Sequence, residues 1–305
     1  MPLAINRSPA RRSLQDGQVS RLVILDRSGE NQRVVLTTTK LIEAPNWTPD
    51  GKWLIVNSAG KMYRVPIAGG EPEEIFSGAV QSCNNDHVLS PDGSHIYVSS
   101  DGHLYSLPIT GGEPRRLSNQ HPETPDYRYL YYLHGISPDG KTLAYVSVEP
   151  HGGNPRGHRK IALIPTDGGE DIHLTDGDEP ADGPEYSPDG QWIWFNWEKN
   201  GHRPGHAQLF RMRPDGSRKE QMTFDDEVNW FPHFSPDGQE VLFLTYAQGT
   251  ISHPADVELA IRRMPADGGA PKELIRFFGG QGSLNVNSWS PDGQFFAYCE
   301  YPEAT

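Results

Sequence analysis

The chain has 305 residues, a length that suits one large domain or two ordinary ones. Its hydrophobic residues (35%) together with 32 glycines are enough to bury a globular core, and no run approaches the roughly 20 apolar residues that cross a bilayer. The formal net charge of −13 disfavours a nucleic-acid partner, and the composition excludes a fibrous protein.

The N-terminal segment, residues 1–20, is predicted to be a tail ahead of the folded domain. It contains basic residues but lacks the apolar run of 7–15 residues that a secretory signal requires. We therefore expect a cytoplasmic protein, although a periplasmic protein whose signal had been removed would look the same. The two cysteines, Cys83 and Cys299, cannot form a disulfide framework and are expected to be small buried side chains.

A first hairpin is predicted in RLVILDRSGENQRVVL, and six nearly identical turns follow it along the chain. They read WTPDG, VLSPDG, GISPDG, EYSPDG, HFSPDG and WSPDG, with Ser or Thr at positions 48, 90, 137, 187, 235 and 290. A repeat of this length indicates a propeller or a helical array. The turns are followed by alternating β-branched and aromatic residues, as in KWLIVNS and WIWFNW, which favours strands.

A second class of turn, such as SG at Gly29 and GGEP after Ile67, alternates with the first and gives units of four strands. The last hairpin, WSPDGQFFAYCEY, lacks the two strands that would follow it, and an open stack would leave such edges unpaired. We therefore predict an all-β fold, a six-bladed β-propeller with four antiparallel strands per blade. It spans residues 21–305 as a single domain, and the N-terminal hairpin closes its last blade.

The SPDG turns and the strand starts RLS, HLT and QMT, at 116–118, 173–175 and 221–223, resemble the TolB-type β-propeller repeat, which is WD40-like. The resemblance covers residues from about 21 to 301 and implies protein partners. The chain departs from the Tol–Pal translocation protein of that family, which carries a signal peptide and an α/β domain ahead of its propeller.

One face of the predicted propeller is elaborated, because blades three to five carry 7–12 extra residues between their second and third strands. Loops on a rigid scaffold commonly bind ligands. These loops also contain Arg159 and His253, and imidazole and guanidinium groups favour anionic or metal-bound ligands. Solvated surface is the alternative for any single histidine. The loop residues predicted to bind ligand are His151, Arg156, His158, His202, Arg203 and His206.

A second set of polar residues precedes the SPDG-type turns, where the central channel opens. It comprises Glu43, Asn46, Asp86, His87, His134, Asp182, Glu185, His233, Asn285 and Asn287. Strand alternation cannot decide which of these reach the axis, because both faces of a blade are buried. We predict ligand binding by His87, His134, Glu185, His233 and Asn287. His87, His134 and His233 are also candidate ligands for a divalent metal, with a structural polar lining as the alternative.

No GxSxG motif occurs, so the peptidases that share this propeller are not functional models. We expect a non-catalytic recognition module that binds a protein, peptide or saccharide through the long-loop face and the channel. The alternative is a metal-assisted polysaccharide lyase, since the repeats are also similar to those of oligogalacturonate lyases. In that reading the axial histidines supply metal ligands or the base, and Arg156, Arg159 or Arg203 holds the substrate carboxylate.

Overall fold

The computed structural model describes residues 12–304, except 125–126, 152–153, 178 and 200–202, and it describes no side chains at 150–157. Within these ranges all regular structure is β, and the strands form six sheets. The predicted all-β six-bladed propeller is confirmed.

The strands follow one another around the ring in chain order. The chain begins with β1 (Ser20–Asp26) and β2 (Gln32–Thr38). Five sheets of four consecutive antiparallel strands follow and form blades 1 to 5. Blade 1 contains β3 (Glu43–Trp47), β4 (Trp53–Ser58), β5 (Lys61–Pro66) and β6 (Glu73–Ile75), and blade 2 contains β7 (Cys83–Leu89), β8 (His95–Ser100), β9 (His103–Pro108) and β10 (Arg115–Arg116). Blade 3 contains β11 (Leu130–Ile136), β12 (Thr142–His151), β13 (Asn154–Pro165) and β14 (Ile172–His173), and blade 4 contains β15 (Ala181–Tyr186), β16 (Ile193–Trp197), β17 (Gln208–Met212) and β18 (Glu220–Gln221). Blade 5 contains β19 (Val228–Phe234), β20 (Glu240–Tyr246), β21 (Ala255–Pro265) and β22 (Lys272–Gly280).

Blade 6 joins the two ends of the chain, as predicted. Its strand β23 (Phe295–Glu300) pairs antiparallel with β1, which in turn pairs with β2. The innermost position of this blade is reduced to a bridge between Trp289 and Phe296. Leu22 and Ile24 of β1 are buried in one cluster with Cys299 of β23, so the closure is hydrophobic as well as hydrogen-bonded.

The SPDG turns have the geometry that their residue types dictate. In the second turn the Ser90 hydroxyl donates to Asp92 Oδ1 at 2.6 Å and accepts the backbone N–H of His95 at 2.9 Å. Gly93 has a φ of 70°, the left-handed region that glycine tolerates best. A side chain there would lie 3.3 Å from Pro49 of the preceding turn, so successive turns pack against each other around the ring.

The first strand of each four-stranded blade lies nearest the axis, where it contacts the first strand of a neighbouring blade. Most of these inner strands carry a β-bulge, for example between Glu43 and Asn46 of β3 and between Asp182 and Glu185 of β15. A bulge breaks the strict alternation of side chains. The bulges therefore determine which polar residues face the channel.

Candidate functional site

A cavity of about 570 Å³ lies at one end of the channel. The turns between the second and third strands of blades 1 and 2 line it, together with the starts of inner strands from several blades. This is the face on which the elongated connections of blades 3 to 5 lie. In blade 3 the extra residues are an extension of the β12–β13 hairpin rather than the irregular loop we expected.

One end of the cavity is built around His134 of β11. Its Nε2 lies 3.2 Å from Asp182 Oδ1 and 3.9 Å from Asp86 Oδ1. Arg159 of β13 places its Nη1 3.1 Å from Asp182 Oδ2. Blades 2, 3 and 4 thus contribute four titratable side chains, the carboxylates of Asp86 and Asp182 and the basic groups of His134 and Arg159. All but Arg159 are buried.

The two carboxylates beside His134 favour the charged form of its imidazole. Burial works against an imidazolium, but the carboxylates of Asp86 and Asp182 raise the pKa of His134 above its usual value. Burial also raises the pKa of Asp86 to about 6, although His134 opposes this shift. Burial alone would also raise the pKa of Asp182. The hydrogen bond and charge of His134 outweigh it and hold the pKa of Asp182 well below its usual range. His134 and Asp182 are therefore a buried, hydrogen-bonded pair in which each group favours the charged form of the other.

The opposite end of the cavity contains Glu43 and Arg12. The guanidinium of Arg12 lies 3.6 Å from Glu43 Oε1, which also accepts a hydrogen bond of 3.3 Å from Asn85. Burial raises the pKa of Glu43 to about 7 against the opposing charge of Arg12. His253 lines the same region and hydrogen bonds through Nδ1 to the Gln281 side chain. Burial lowers the pKa of His253 to about 4, so this imidazole is neutral at pH 7.

Phe231 of β19 forms part of the wall in a strained conformation. Its φ is 57°, which a bulky residue seldom adopts, and it lies at the bulge between Trp230 and His233. Its ring stacks on His134 at 5.5 Å and meets His253 edge-on at 5.1 Å. Strain of this kind is concentrated at binding and catalytic sites, which is consistent with a functional cavity.

Three of the predicted site residues lie in a separate polar ring that does not line the cavity. Glu185 accepts hydrogen bonds from His233 Nδ1 at 2.6 Å and from Asn287 Nδ2 at 2.7 Å. The carbonyl of Asn287 accepts the Asn46 amide at 2.5 Å, and His233 Nε2 donates to the carbonyl of Leu284 at 3.0 Å. This ring joins blades 4, 5, 6 and 1, and it leaves the buried Asn46 Oδ1 without a hydrogen-bond partner.

The three candidate metal ligands are not brought together. His87 is fully buried against the backbone of Ile55 and Asn85, and neither of its ring nitrogens makes a hydrogen bond of normal geometry. Both nitrogens of His233 are engaged, and His134 lies in the row beside Asp182. Among the described side chains no group of three or more His, Cys, Asp and Glu could hold a metal ion.

Of the long-loop residues named from the sequence, Arg159 and His253 line the cavity, whereas those predicted to bind ligand lie outside its lining where they can be placed. Arg203 contacts Asp226 at 3.1 Å, and His206 is hydrogen-bonded to the carbonyl of Asp225 at 3.1 Å. His158 pairs with Glu149 across the β12–β13 hairpin. His202 and the side chains of His151 and Arg156 fall outside the described part of the chain.

Several lining residues carry no repeat signal and were missed by sequence reasoning. Arg12 precedes the first strand, and Gln281 lies in the connection after β22. Others are amides or aromatic residues with no distinctive spacing: Asn57, Asn84, Asn85, Tyr132 and Phe231. No pattern in a single sequence distinguishes these residues from ordinary strand ends.

Comparison with known proteins decides the family. A family model described as the TolB beta-propeller domain matches residues 135–298, more than half of the chain. An uncharacterized protein of Agrobacterium fabrum (strain C58) is 41% identical over 270 residues, which cover 88% of each chain. The chain belongs to the TolB β-propeller family. The resemblance of its SPDG turns to that repeat is thereby confirmed.

Solved structures agree with the TolB assignment. A protein from Agrobacterium tumefaciens, itself assigned only provisionally as a TolB, has 39% identity and a TM-score of 0.84, covering 94% of this chain and 99% of its own. TolB from Acinetobacter baumannii has 18% identity and a TM-score of 0.60 over 93% of this chain and 66% of that one. An oligogalacturonate lyase in complex with manganese has 15% identity and a TM-score of 0.58, over 88% and 75%. These last two share the fold alone.

A search of the described residues for a helix long and apolar enough to cross a membrane finds none. The family assignment does not support the cytoplasmic location that we expected from the first residues of this TolB-like chain.

Proposed function

We propose that this TolB-like propeller is a non-catalytic recognition module that takes a polar peptide segment of a protein partner into its channel cavity. The observation that supports this most is the buried row of Asp86, His134 and Asp182 with Arg159, which offers charges of both signs on the long-loop face. A few well-placed polar groups in a concave, preformed site are what fixes the orientation of a ligand. The TolB resemblance implies protein partners and so favours a peptide over a saccharide.

The protonation of the cavity histidines suits binding better than proton abstraction. His134 lies between two carboxylates that raise its pKa against the effect of burial, whereas His253 is a weak base because burial lowers its pKa to about 4. A lyase needs a base whose pKa lies near the working pH. The lyase alternative also needs a metal, and among the described side chains no group of three or more His, Cys, Asp and Glu could hold one.

Selection of peptides on the wild-type protein from a phage-displayed random library tests this proposal. Affinities of the selected peptides are then measured by isothermal titration calorimetry for Asp182→Asn and for Arg159→Gln. The second substitution removes a more exposed charge and carries the test if Asp182→Asn impairs folding. We expect each substitution to weaken binding at least tenfold, because each removes a charge that faces the cavity.

Asp215→Asn is the matched control, since Asp215 is an exposed turn residue on the opposite face that accepts the N–H of Ser217. Its peptide affinities should equal those of the wild type. Peptide affinities that are unchanged by both Asp182→Asn and Arg159→Gln would contradict the proposal. A glycan array tests the saccharide alternative. If oligosaccharides bind in a way that depends on Asp182 and no selected peptide does, the choice of a peptide ligand is wrong.

A further inference from the structure

A short N-terminal segment, residues 12–18, lies against the propeller and places one side chain in the cavity. Gly17 accepts a backbone hydrogen bond of 2.7 Å from Ala304, and the Gln18 side chain donates to Asp256 at 3.2 Å. These contacts hold the segment beside the ends of blades 5 and 6. Arg12 extends from it and lines the cavity.

The guanidinium of Arg12 is enclosed by four groups of the propeller. It donates to the carbonyl of Gln281 at 2.6 Å and to Asp256 Oδ1 at 2.9 Å, and it lies 3.6 Å from Glu43. Its central carbon lies 4.0 Å from the centre of the Tyr301 ring. We call these four groups, Glu43, Asp256, the Gln281 carbonyl and Tyr301, the guanidinium cage.

The cage matches guanidinium chemistry more closely than ammonium chemistry. A planar guanidinium donates hydrogen bonds in several directions within its plane while its face stacks on an aromatic ring. Here the Asp256 carboxylate and the Gln281 carbonyl accept hydrogen bonds from the group, Glu43 lies 3.6 Å away as a second carboxylate, and one ring covers its face. The cage also has supports of its own, since the Tyr301 hydroxyl donates to the carbonyl of Ile42 at 3.1 Å and Asn85 donates to Glu43.

We propose that the guanidinium cage is a binding subsite for an arginine side chain of the peptide ligand, and that Arg12 occupies it as a competitor from the same chain. This inference rests on the proposed function, since Glu43 and Gln281 border the cavity that would hold the rest of the peptide. The cage surrounds a single guanidinium, and the carboxylates of Asp256 and Glu43 supply its counter-charge. An incoming arginine therefore replaces Arg12 rather than adding to it.

Competition from Arg12 determines how tightly a ligand must bind to enter the cage. A tethered group acts at an effective concentration on the order of millimolar, so a lone arginine side chain cannot displace Arg12 easily. A peptide that also contacts the row around His134 gains the additional binding free energy that displacement requires. The subsite thus selects peptides that carry an arginine and reach both ends of the cavity.

Removing Arg12 should open the cage to a small probe. We expect L-arginine amide to bind Arg12→Ala at least tenfold more tightly than the wild type by isothermal titration calorimetry, and to raise the melting temperature of the variant selectively. Adding Glu43→Gln to Arg12→Ala should abolish this gain. Arg218→Ala, which removes an exposed arginine outside the cavity, should behave as the wild type.

The proposal is overturned if L-arginine amide binds wild type and Arg12→Ala with equal affinity, or binds neither. It is also overturned if L-lysine amide binds Arg12→Ala as tightly as L-arginine amide does. If Arg12→Ala does not fold, Arg12→Lys replaces it in the test. Lysine keeps the charge but lacks the planar guanidinium, so L-arginine amide should displace it from the cage. Selected peptides that depend on Asp182 but are indifferent to Arg12→Ala would overturn the arginine subsite while leaving the cavity's recognition role intact.

Discussion

His87 is a buried imidazole that the proposed recognition function does not use. It lies in β7 with no exposed surface, and burial lowers its pKa to about 4. In the unfolded chain the same group titrates near pH 6.5. The folded state therefore binds fewer protons than the unfolded state between these values, and its stability falls as the pH falls from about 6.5 to 4.

Replacing His87 with glutamine should remove this part of the acid sensitivity. Between pH 7 and pH 4 we expect the wild type to lose about 3 kcal/mol more unfolding free energy than His87→Gln, because the pKa shift of the imidazole has this magnitude. Urea denaturation at several pH values measures the difference. His95→Gln is the control at a partly exposed position, and parallel pH profiles for wild type and His87→Gln would refute the assignment.

Glu185 has a structural role in the polar ring rather than a role in the cavity. It accepts hydrogen bonds from His233, from the N–H of Phe234 and from Asn287, all within 2.7 Å. Glu185→Gln should destabilise the protein by about 3 kcal/mol, since it removes the charge that three buried donors share. Denaturant unfolding tests this against the exposed control Glu30→Gln. A loss of peptide binding without a loss of stability would instead place Glu185 in the ligand site.

Sequence reasoning identified the polar positions near the axis but could not divide them between the cavity and the ring. Glu43, Asp86 and Asp182 face the cavity, whereas Glu185 and His233 do not. The division depends on the bulges, whose left-handed residues include Ala44 and Phe231. No residue preference marks these two positions, because alanine and phenylalanine rarely adopt positive φ.

At the scale of elements, blades 3 and 4 approach each other closely at Gly135 of β11. A Cβ there would lie 2.6 Å from the backbone carbonyl of Pro184 in β15. Backbone cannot move aside as a flexible side chain can. The close contact of blades 3 and 4 beside His134 therefore requires glycine at this position.

Gly135→Ala should separate these two blades and destabilise the fold by more than the roughly 1 kcal/mol that a left-handed residue costs. Gly249→Ala supplies that reference, because its φ is 86° and no atom lies within 4 Å of the added Cβ. Thermal unfolding compares the two. Equal destabilisation by both substitutions would show that blades 3 and 4 tolerate a wider separation.

Repeat period, turn chemistry and strand alternation predicted the blades correctly because each is a local property. The PDG at Pro214 lies between β17 and β18 of blade 4, so it belongs to the second class of turn and not to the SPDG class. The extended hairpin of blade 3 was not predicted, since its glycine- and proline-rich residues resemble a loop. Its pairing, from Thr142 with Pro165 to His151 with Asn154, depends on the whole hairpin.

At the scale of the whole molecule, ring closure depends on β1. It pairs with β23 at six positions from Arg21 to Asp26. Deleting the segment before Leu36 should destabilise the entire propeller, because the hydrogen bonds of this ladder and the buried side chains of β1 are lost together.

Point substitutions test the same closure without truncation. Leu22→Ala and Ile24→Ala each remove a buried side chain of β1 and should cost about 2–5 kcal/mol by denaturant unfolding. Val34→Ala on the neighbouring strand is the control, since this side chain is 46% exposed. Unfolding curves for the β1 variants that match the wild type would contradict closure through the N-terminal hairpin.

The central proposal is that the cavity on the long-loop face is the recognition site of this TolB-like propeller. A crystal structure with the tightest selected peptide tests it most directly. We predict peptide density between the row around His134 and Glu43, with an arginine of the peptide in place of Arg12. A peptide bound at the SPDG turns on the opposite face, with the cavity residues unchanged, would contradict it.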